Sequence, residues 1–340
     1  MKSDHIKTIR YMGNKEKLLD FIIPEIEAIT NPGDAICDLM AGTNSIGYAL
    51  KKRNLIIAND IQTYSYIVGK ALLSNYSIPT NDELRIFIED KYIENKNKRI
   101  FSFFQDNYTD TYFSEQQCVD IDSIRFSLED LKSPMKEYVL TLLMSVMCKV
   151  QSSPGHFAQF MPKEHKRIVP LRAMNVYELM FSKNLDFQNF IKSEYTNLIF
   201  NLDYNILLEN KVIDSVECYY LDSPYTTDQY SRFYHVLETV AKYDYPVLEH
   251  KAKYRNDRSK SKFSSKNTVR DEFEKIISFV AKKGKKLVIS YSNKGVLNAD
   301  ELIELSKIYF SNVNVKYFDY KHSSQGNGSI NIKELLLVLS

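Results

Sequence analysis

The run of residues 35–60, AICDLMAGTNSIGYALKKRNLIIAND, constrains the chain more than any other stretch. A short apolar segment leads into a glycine-containing turn, an amphipathic stretch and a second apolar segment, which is the order strand, loop, helix, strand. Such a βαβ unit commits its strands to a parallel sheet with helices on its faces, and ligands in that architecture sit outside the carboxyl ends of the strands. The expected class is therefore α/β, and residues 38–43 are the first strand end to inspect. Strand signals return at residues 217–221, 286–292, 313–320 and 332–339, the last two arranged for a terminal antiparallel hairpin.

Between residue 72 and roughly residue 200 the apolar spacing becomes helical, broken by polar stretches such as IENKNKR and QSSPGHF, and βαβ units are missing. The expected organisation is a main domain from residues 1–72 and 200–340 with an inserted subdomain at 73–199. With 340 residues, 44% hydrophobic, the chain can bury a core large enough for both. Lys and Arg number 45 against 43 Asp and Glu, so total charge names no polyanionic partner and any such claim must rest on local charge. One segment supplies it: residues 251–270 hold eight Lys or Arg, the single acid Asp257 and five Ser or Thr, the composition of a mobile basic loop. Cys37, Cys118, Cys148 and Cys218 are far apart with no CxxC pairing, which suits a reducing cytoplasm. The first residues lack an apolar core of signal-peptide length, and the most apolar run, 138–150, is too short to span a bilayer, so a soluble intracellular protein is expected. No His, Cys or carboxylate spacing suggests a metal.

After the first strand, Asp38 puts a carboxylate at the strand end, and Ala41 and Gly42 form a small-residue turn where backbone must approach a ligand closely. Asp60, twenty-two residues after Asp38, ends the second strand, where a carboxylate can accept from both hydroxyls of a ribose. Together they predict an adenosine-containing ligand. Only Gly42 and Gly47 are present where a dinucleotide site wants GxGxxG, and Tyr48 follows Gly47 where a P-loop wants Lys, so S-adenosylmethionine is favoured over NAD or a nucleoside triphosphate.

The segment Tyr219-Tyr220-Leu221-Asp222-Ser223-Pro224-Tyr225 is an apolar strand ending in a carboxylate, a constrained turn and an aromatic ring. An exocyclic amino group is hard to methylate because its lone pair is delocalised into the base. Acceptors on its two hydrogens draw that lone pair toward an incoming methyl. Asp222 can take one hydrogen and the carbonyl between Ser223 and Pro224, held by the proline ring, the other. The target atom is inaccessible in a stacked duplex, so the base must be flipped out, and Tyr225 offers it a face.

These residues resemble the Dam-like, D12 class adenine-specific DNA methyltransferases, which include many restriction-modification methylases. Three blocks carry the resemblance: Arg10-Tyr11-Met12-Gly13-Asn14-Lys15, then residues 38–47 with Asn59-Asp60, then Asp222 to Tyr225 in place of the family's DPPY. Their order, with a long insertion ahead of the tetrad, is that of the family's α-group. The resemblance implies a Rossmann-like methyltransferase fold with a mainly helical target-recognition subdomain, S-adenosylmethionine as cofactor and N6 of a flipped adenine in double-stranded DNA as acceptor. It would place Tyr11, Gly13, Asn14 and Lys15 against the cofactor, Asp60 on its ribose, Asp222 between cofactor and amine, and Asp203 near the cofactor adenine. For Asp203 an N-cap role competes. Two departures stand out: Ser223 replaces the commoner first proline, and Asn44 stands where glycine is frequent.

DNA phosphates are expected to meet Lys251, Lys253, Arg255, Arg258, Lys260 and Lys262 of the basic segment, and Arg232 and Tyr230, just after the tetrad, are read either as a clamp on the flipped nucleotide or as helix-start packing. The turn Ser152-Ser153-Pro154-Gly155-His156-Phe157 is read either as a backbone or base contact or as a surface turn. A restriction endonuclease is a candidate partner. The competing functions are a cofactor-binding DNA-binding subunit without turnover, suggested by Ser223 and Asn44, and methylation of cytosine or RNA amino groups.

Overall fold

The computed structural model describes residues 9, 15–182, 192–320 and 332–340. Among them, seven strands form one sheet: β1 (Ala35–Asp38), β2 (Leu55–Asn59), β3 (Leu198–Phe200), β4 (Val216–Leu221), β7 (Lys286–Ser292), β8 (Val313–Tyr320) and β9 (Ile332–Leu339). Between β4 and β7 the chain also makes a short antiparallel ribbon of β5 (Leu248–Glu249) and β6 (Tyr254–Arg255). The sheet order is β3-β2-β1-β4-β7-β9-β8. The first five strands run parallel, and β9 inserts antiparallel between β7 and β8. This is the mostly parallel sheet with a C-terminal antiparallel hairpin of a Rossmann-like methyltransferase fold.

The strands read as apolar runs because both faces are covered. Side chains alternate strictly between the two cores: Ile36, Cys218, Tyr220 and Val288 enter one, whereas Cys37, Tyr219, Leu221, Leu287 and Ile289 enter the other. The second core is closed by helices Val269–Lys282 and Ala299–Tyr309, with Phe273, Ile277 and Leu302 fully buried. The first is closed by helices Leu19–Ile29, Thr63–Leu73 and His235–Lys242 and is continuous with the helical region.

That region holds helices Asn81–Lys98, Phe103–Tyr108, Glu115–Ser127 and Met135–Val150. Two start at reciprocal capping boxes, Thr80 with Glu83 and Ser114 with Gln117, which satisfy amide hydrogens that the first turn leaves unpaired. Leu140, Leu143 and Met147 belong to the same buried cluster as Ile36 and Val288, so the helical region packs onto the sheet's first face.

Two expectations change. The helical pattern does not run to residue 200, because Leu198–Phe200 pairs with β2 as the edge strand β3. The basic segment is structured too: it contains β6, a short turn of helix at Lys262–Ser264 and the start of helix Val269–Lys282. No helix among the described residues is long and apolar enough to cross a membrane.

Candidate active site

The strand order reverses between β1 and β4, and a crevice opens at their carboxyl ends. Asp38 closes β1 and Asp222 follows β4 there, so residues 184 positions apart share one cavity of about 210 Å³. Its wall includes Asp38, Ala41, Gly42, Asp60 and Asp203 on one side and Asp222, Ser223, Pro224 and Tyr230 on the other. Lys15 also lines it. Tyr11, Gly13 and Asn14 lie outside the described residues.

The turn after β1 is fixed by backbone. Gly42 takes φ 51°, and Asn44, capping helix Ser45–Leu50, takes φ 60°. Among residues with a side chain, asparagine enters this left-handed region more readily than most, which accounts for its standing where glycine is frequent. Its amide donates to the carbonyl of Ser65 at 3.0 Å, and its side chain is buried outside the cavity wall. The Gly42 amide donates to Asp60 Oδ2 at 2.9 Å and the Gln62 amide to Oδ1 at 2.8 Å, which aims the carboxylate while leaving lone pairs for further donors. Burial nevertheless lifts the Asp60 pKa to about 6, the two amides pulling the other way. Asn59 ties this corner together, donating to the carbonyls of Leu39 and Leu202. Asp203 is an N-cap: Oδ1 accepts from the Asn205 amide at 2.9 Å, capping helix Tyr204–Leu208, and the residue also lines the cavity.

Asp38 is 2% exposed, and its Oδ1 has no hydrogen-bond partner. Burial first, then the neighbouring Asp222, pushes its pKa well above the carboxylate range. Ser223 Oγ is likewise buried without a partner. Orphaned polar atoms are costly in an interior, so Asp38 Oδ1 and Ser223 Oγ in one cavity wall mark places where a polar ligand completes the site. A cofactor with a ribose and a charged amino-acid end suits this donor and acceptor set, with Asp60 free to accept ribose hydroxyls and Asp38 free to accept an ammonium.

Asp222 Oδ1 stands 3.1 Å from Lys15 Nζ. Burial raises the Asp222 pKa to about 6 against the pull of Lys15, with Glu334 adding to the rise. Lys15 itself, though burial works against its charge, is held well above the usual lysine range by Asp222 and Glu334. Tyr225 does not line this cavity. Its ring lies edge-on to Tyr291 and beneath the Lys15 ammonium at 5.3 Å, while Tyr230 stands in the wall.

The rim comes from the basic segment. Ser259, Lys260, Ser261 and Lys262 line the cavity, with Lys260 and Lys262 exposed. Gln62 donates to Ser259 Oγ at 2.6 Å, Ser231 Oγ to the Ser259 carbonyl at 2.6 Å, and the Ser261 amide to Gln229 at 2.6 Å. The strap is thus fastened to both halves of the site. The sequence reading missed Gln62 and Gln229, whose one signal is adjacency to Asp60 and Tyr230.

Arg255 corrects the list of expected phosphate contacts. It is 1% exposed, and its guanidinium donates to both oxygens of Asp244 and both of Asp257, so it anchors the strap from inside. Arg258 stacks over Tyr254 at 4.7 Å, and Arg232 donates to the Tyr254 hydroxyl. Lys251 is exposed and Lys253 half-buried. In the 152–157 turn, Phe157 is fully buried, so it packs the core; His156 lies against Phe233 with the two rings tilted at 53°, and burial together with Arg232 lowers its pKa. Among the described residues, no group of three or more His, Cys, Asp or Glu is placed to hold a metal ion.

Against known proteins, the model of the D12 class N6 adenine-specific DNA methyltransferases matches residues 11–305. Modification methylase LlaI of Lactococcus lactis subsp. lactis is 28% identical over 95% of this chain and 52% of its own length. Type II methyltransferase M.FokI of Planomicrobium okeanokoites is 31% identical over 88% of this chain and 47% of its own. The chain therefore spans about half the length of these two relatives. Type II methyltransferase M.NlaIII of Neisseria lactamica is 26% identical over 87% of each chain.

Proposed function

The chain belongs to the D12 class N6 adenine-specific DNA methyltransferase family, and from that premise we propose that it transfers the methyl group of S-adenosylmethionine to N6 of a flipped-out adenine at a specific site in double-stranded DNA. The observation that carries this reading is that Asp222, Ser223 and Pro224 share one cavity with the Gly42–Asp60 corner, so an amino-group acceptor and a ribose acceptor face the same space. The names of its relatives favour a restriction-modification setting, and a cognate endonuclease as partner and the cytoplasm as location are part of the same proposal.

The bound cofactor supplies an electrophilic methyl on a sulfonium. Asp222 accepts one hydrogen of the amine, and the Ser223 carbonyl accepts the other, so the nitrogen lone pair turns out of conjugation and toward the methyl. The Pro224 ring fixes that carbonyl. Asp60 holds the ribose, Asp38 and Asp203 bind further along the cofactor, and Lys15 neutralises part of the carboxylate charge. Tyr225 or the cavity-lining Tyr230 stacks on the extruded base at about 1–3 kcal/mol. Lys260 and Lys262 at the rim, with Lys251, Lys253, Arg258 and Arg232 behind them, meet the phosphates. The helical insertion reads the flanking sequence.

The test is transfer of labelled methyl from S-adenosylmethionine to duplex DNA, followed by digestion and mass spectrometry of the nucleosides. N6-methyl-2′-deoxyadenosine is the expected product; N4-methyl-2′-deoxycytidine, methyl transfer to RNA but not to DNA in a parallel reaction, or cofactor binding with no transfer would each overturn the reading. Asp222→Ala is expected to lower the transfer rate at least 100-fold while leaving cofactor binding measurable, the scale seen when one transition-state hydrogen-bond partner is removed.

A further inference from the structure

Lys15 Nζ lies between two carboxylates, 2.5 Å from Glu334 Oε1 and 3.1 Å from Asp222 Oδ1. Glu334 stands on β9, opposite Ser292 of β7, and the same Oε1 accepts from Ser290 Oγ at 2.9 Å. Lys15 is 5% exposed and the Glu334 side chain 8%. Glu334 does not line the cavity. An acid at the head of the run Leu335–Leu339, fully apolar and buried, loses hydration that an aliphatic residue would not, so strand packing does not account for it.

We infer that Glu334 is a positioning residue for methyl transfer: by taking the Lys15 ammonium as its closer partner, it holds Lys15 beside Asp222 without letting it neutralise the Asp222 carboxylate. This rests on the reading of Asp222 as the acceptor for the target amine. A Lys15–Asp222 pair alone would be neutral and a poor acceptor. With Glu334 the trio keeps one net negative charge, next to the oxygen that must draw on the amine. Among the described residues, the other groups facing Asp222 are Asp38 from the end of β1 and the phenols of Tyr220, Tyr225 and Tyr230. None of these is cationic, so the balance between Lys15 and Glu334 sets the charge at Asp222.

The sign of the consequence is fixed. Glu334 disfavours the anion at Asp222 and Lys15 favours it. Removing the charge of Glu334 must therefore let Asp222 ionise at lower pH and, through the freed ammonium, make it a weaker acceptor. The experiment measures single-turnover methyl transfer to duplex DNA at saturating cofactor across pH 5–8 for the wild type, Glu334→Gln and Glu334→Asp. Glutamine is expected to move the acid limb down by about one pH unit and lower the plateau about tenfold. Aspartate, which keeps the charge, is expected to leave the limb in place whatever its rate, and cofactor affinity by calorimetry should change less than threefold in both. An acid limb that Glu334→Gln slows without moving makes Glu334 a structural residue and overturns the inference. If glutamine prevents folding, Lys15→Met reads the same balance from the other side: the limb must move to higher pH, and a limb that stays overturns the inference. A wild-type protein that methylates no DNA adenine would instead be the failure of the proposed function.

Discussion

Asp60 shows how one half-buried carboxylate can carry pH information. Its two oxygens accept from the amides of Gln62 and Gly42, yet burial wins and the pKa stands near 6. Ribose hydroxyls donate to the ionised form, so binding of S-adenosylmethionine should tighten as pH rises from 5 to 7 and level off above. Asp60→Asn should flatten that dependence and cost about tenfold to a hundredfold in affinity, the worth of one or two hydrogen bonds to a charged group. Isothermal titration at several pH values decides it, and an affinity independent of pH in the wild type would remove Asp60 from the ribose. The linkage has the opposite sign for the ligand-free fold. Asp60 and Asp222 both titrate near 6 when folded and at about 3.9 when unfolded, so the folded state holds more protons in that window and stability falls as pH rises from about 4 to 6. Chemical denaturation of the wild type and of Asp60→Asn at pH 4.5 and 7 tests the direction. Because buried His235, held down to about 3, pulls the total the other way, the readout is the difference between the two proteins, and the asparagine variant should gain stability relative to the wild type as pH rises.

At the scale of elements, the cofactor corner depends on how closely helix Thr63–Leu73 approaches the turn after β1. Gly69 makes that approach possible: a Cβ there would lie 2.7 Å from Asn44 Oδ1 and 3.0 Å from Ile199 Cγ2. Asn44 cannot swing aside cheaply, because its amide is bonded to the Ser65 carbonyl and its backbone already sits at φ 60°. Gly69→Ala is therefore expected to destabilise the fold by about 1–3 kcal/mol, although alanine is the better helix former, and to weaken cofactor binding through the displaced turn. A urea midpoint unchanged or raised would show that the helix can retreat. The parallel strands around this corner were legible because strands buried on both faces become apolar runs, as in the AICD of β1 and the YYL of β4. Edge strand β3 was not: its three residues, Leu198, Ile199 and Phe200, are half-buried and follow a long helical pattern, so nothing in their spacing separates them from it.

At the scale of the whole molecule, the convergence of Asp222, Ser223 and Pro224 with the Gly42–Asp60 corner could be read because each sits at a strand end, and strand ends of a parallel sheet converge whatever the loop lengths between them; that Tyr225 lies outside the shared cavity could not. What could not be read was pairing across the chain. Glu334 is a lone acid in an apolar strand until Lys15 arrives from the far end of the sequence, and a count of basic residues in 251–270 cannot tell a surface lysine from an arginine that turns inward to Asp244. The structure divides that segment into two kinds of cation, with different consequences. Lys260 is exposed, and the contact of Lys262 with Glu272, at 3.6 Å and 66% exposed on the lysine side, contributes almost nothing to stability, so both are available to phosphate. Replacing both by alanine should weaken DNA binding and reduce the slope of log K against log salt by about 2, with the melting temperature unchanged. Arg255→Ala should do the reverse. It leaves Asp244 and Asp257 without their shared partner, at a cost of about 2 kcal/mol after allowing for the partial exposure of both acids, and the strap over the cavity loosens. Its salt slope, measured by fluorescence anisotropy well below the lowered melting temperature, should match the wild type; a slope reduced as in the lysine variant would mean that Arg255 leaves its two carboxylates to meet DNA.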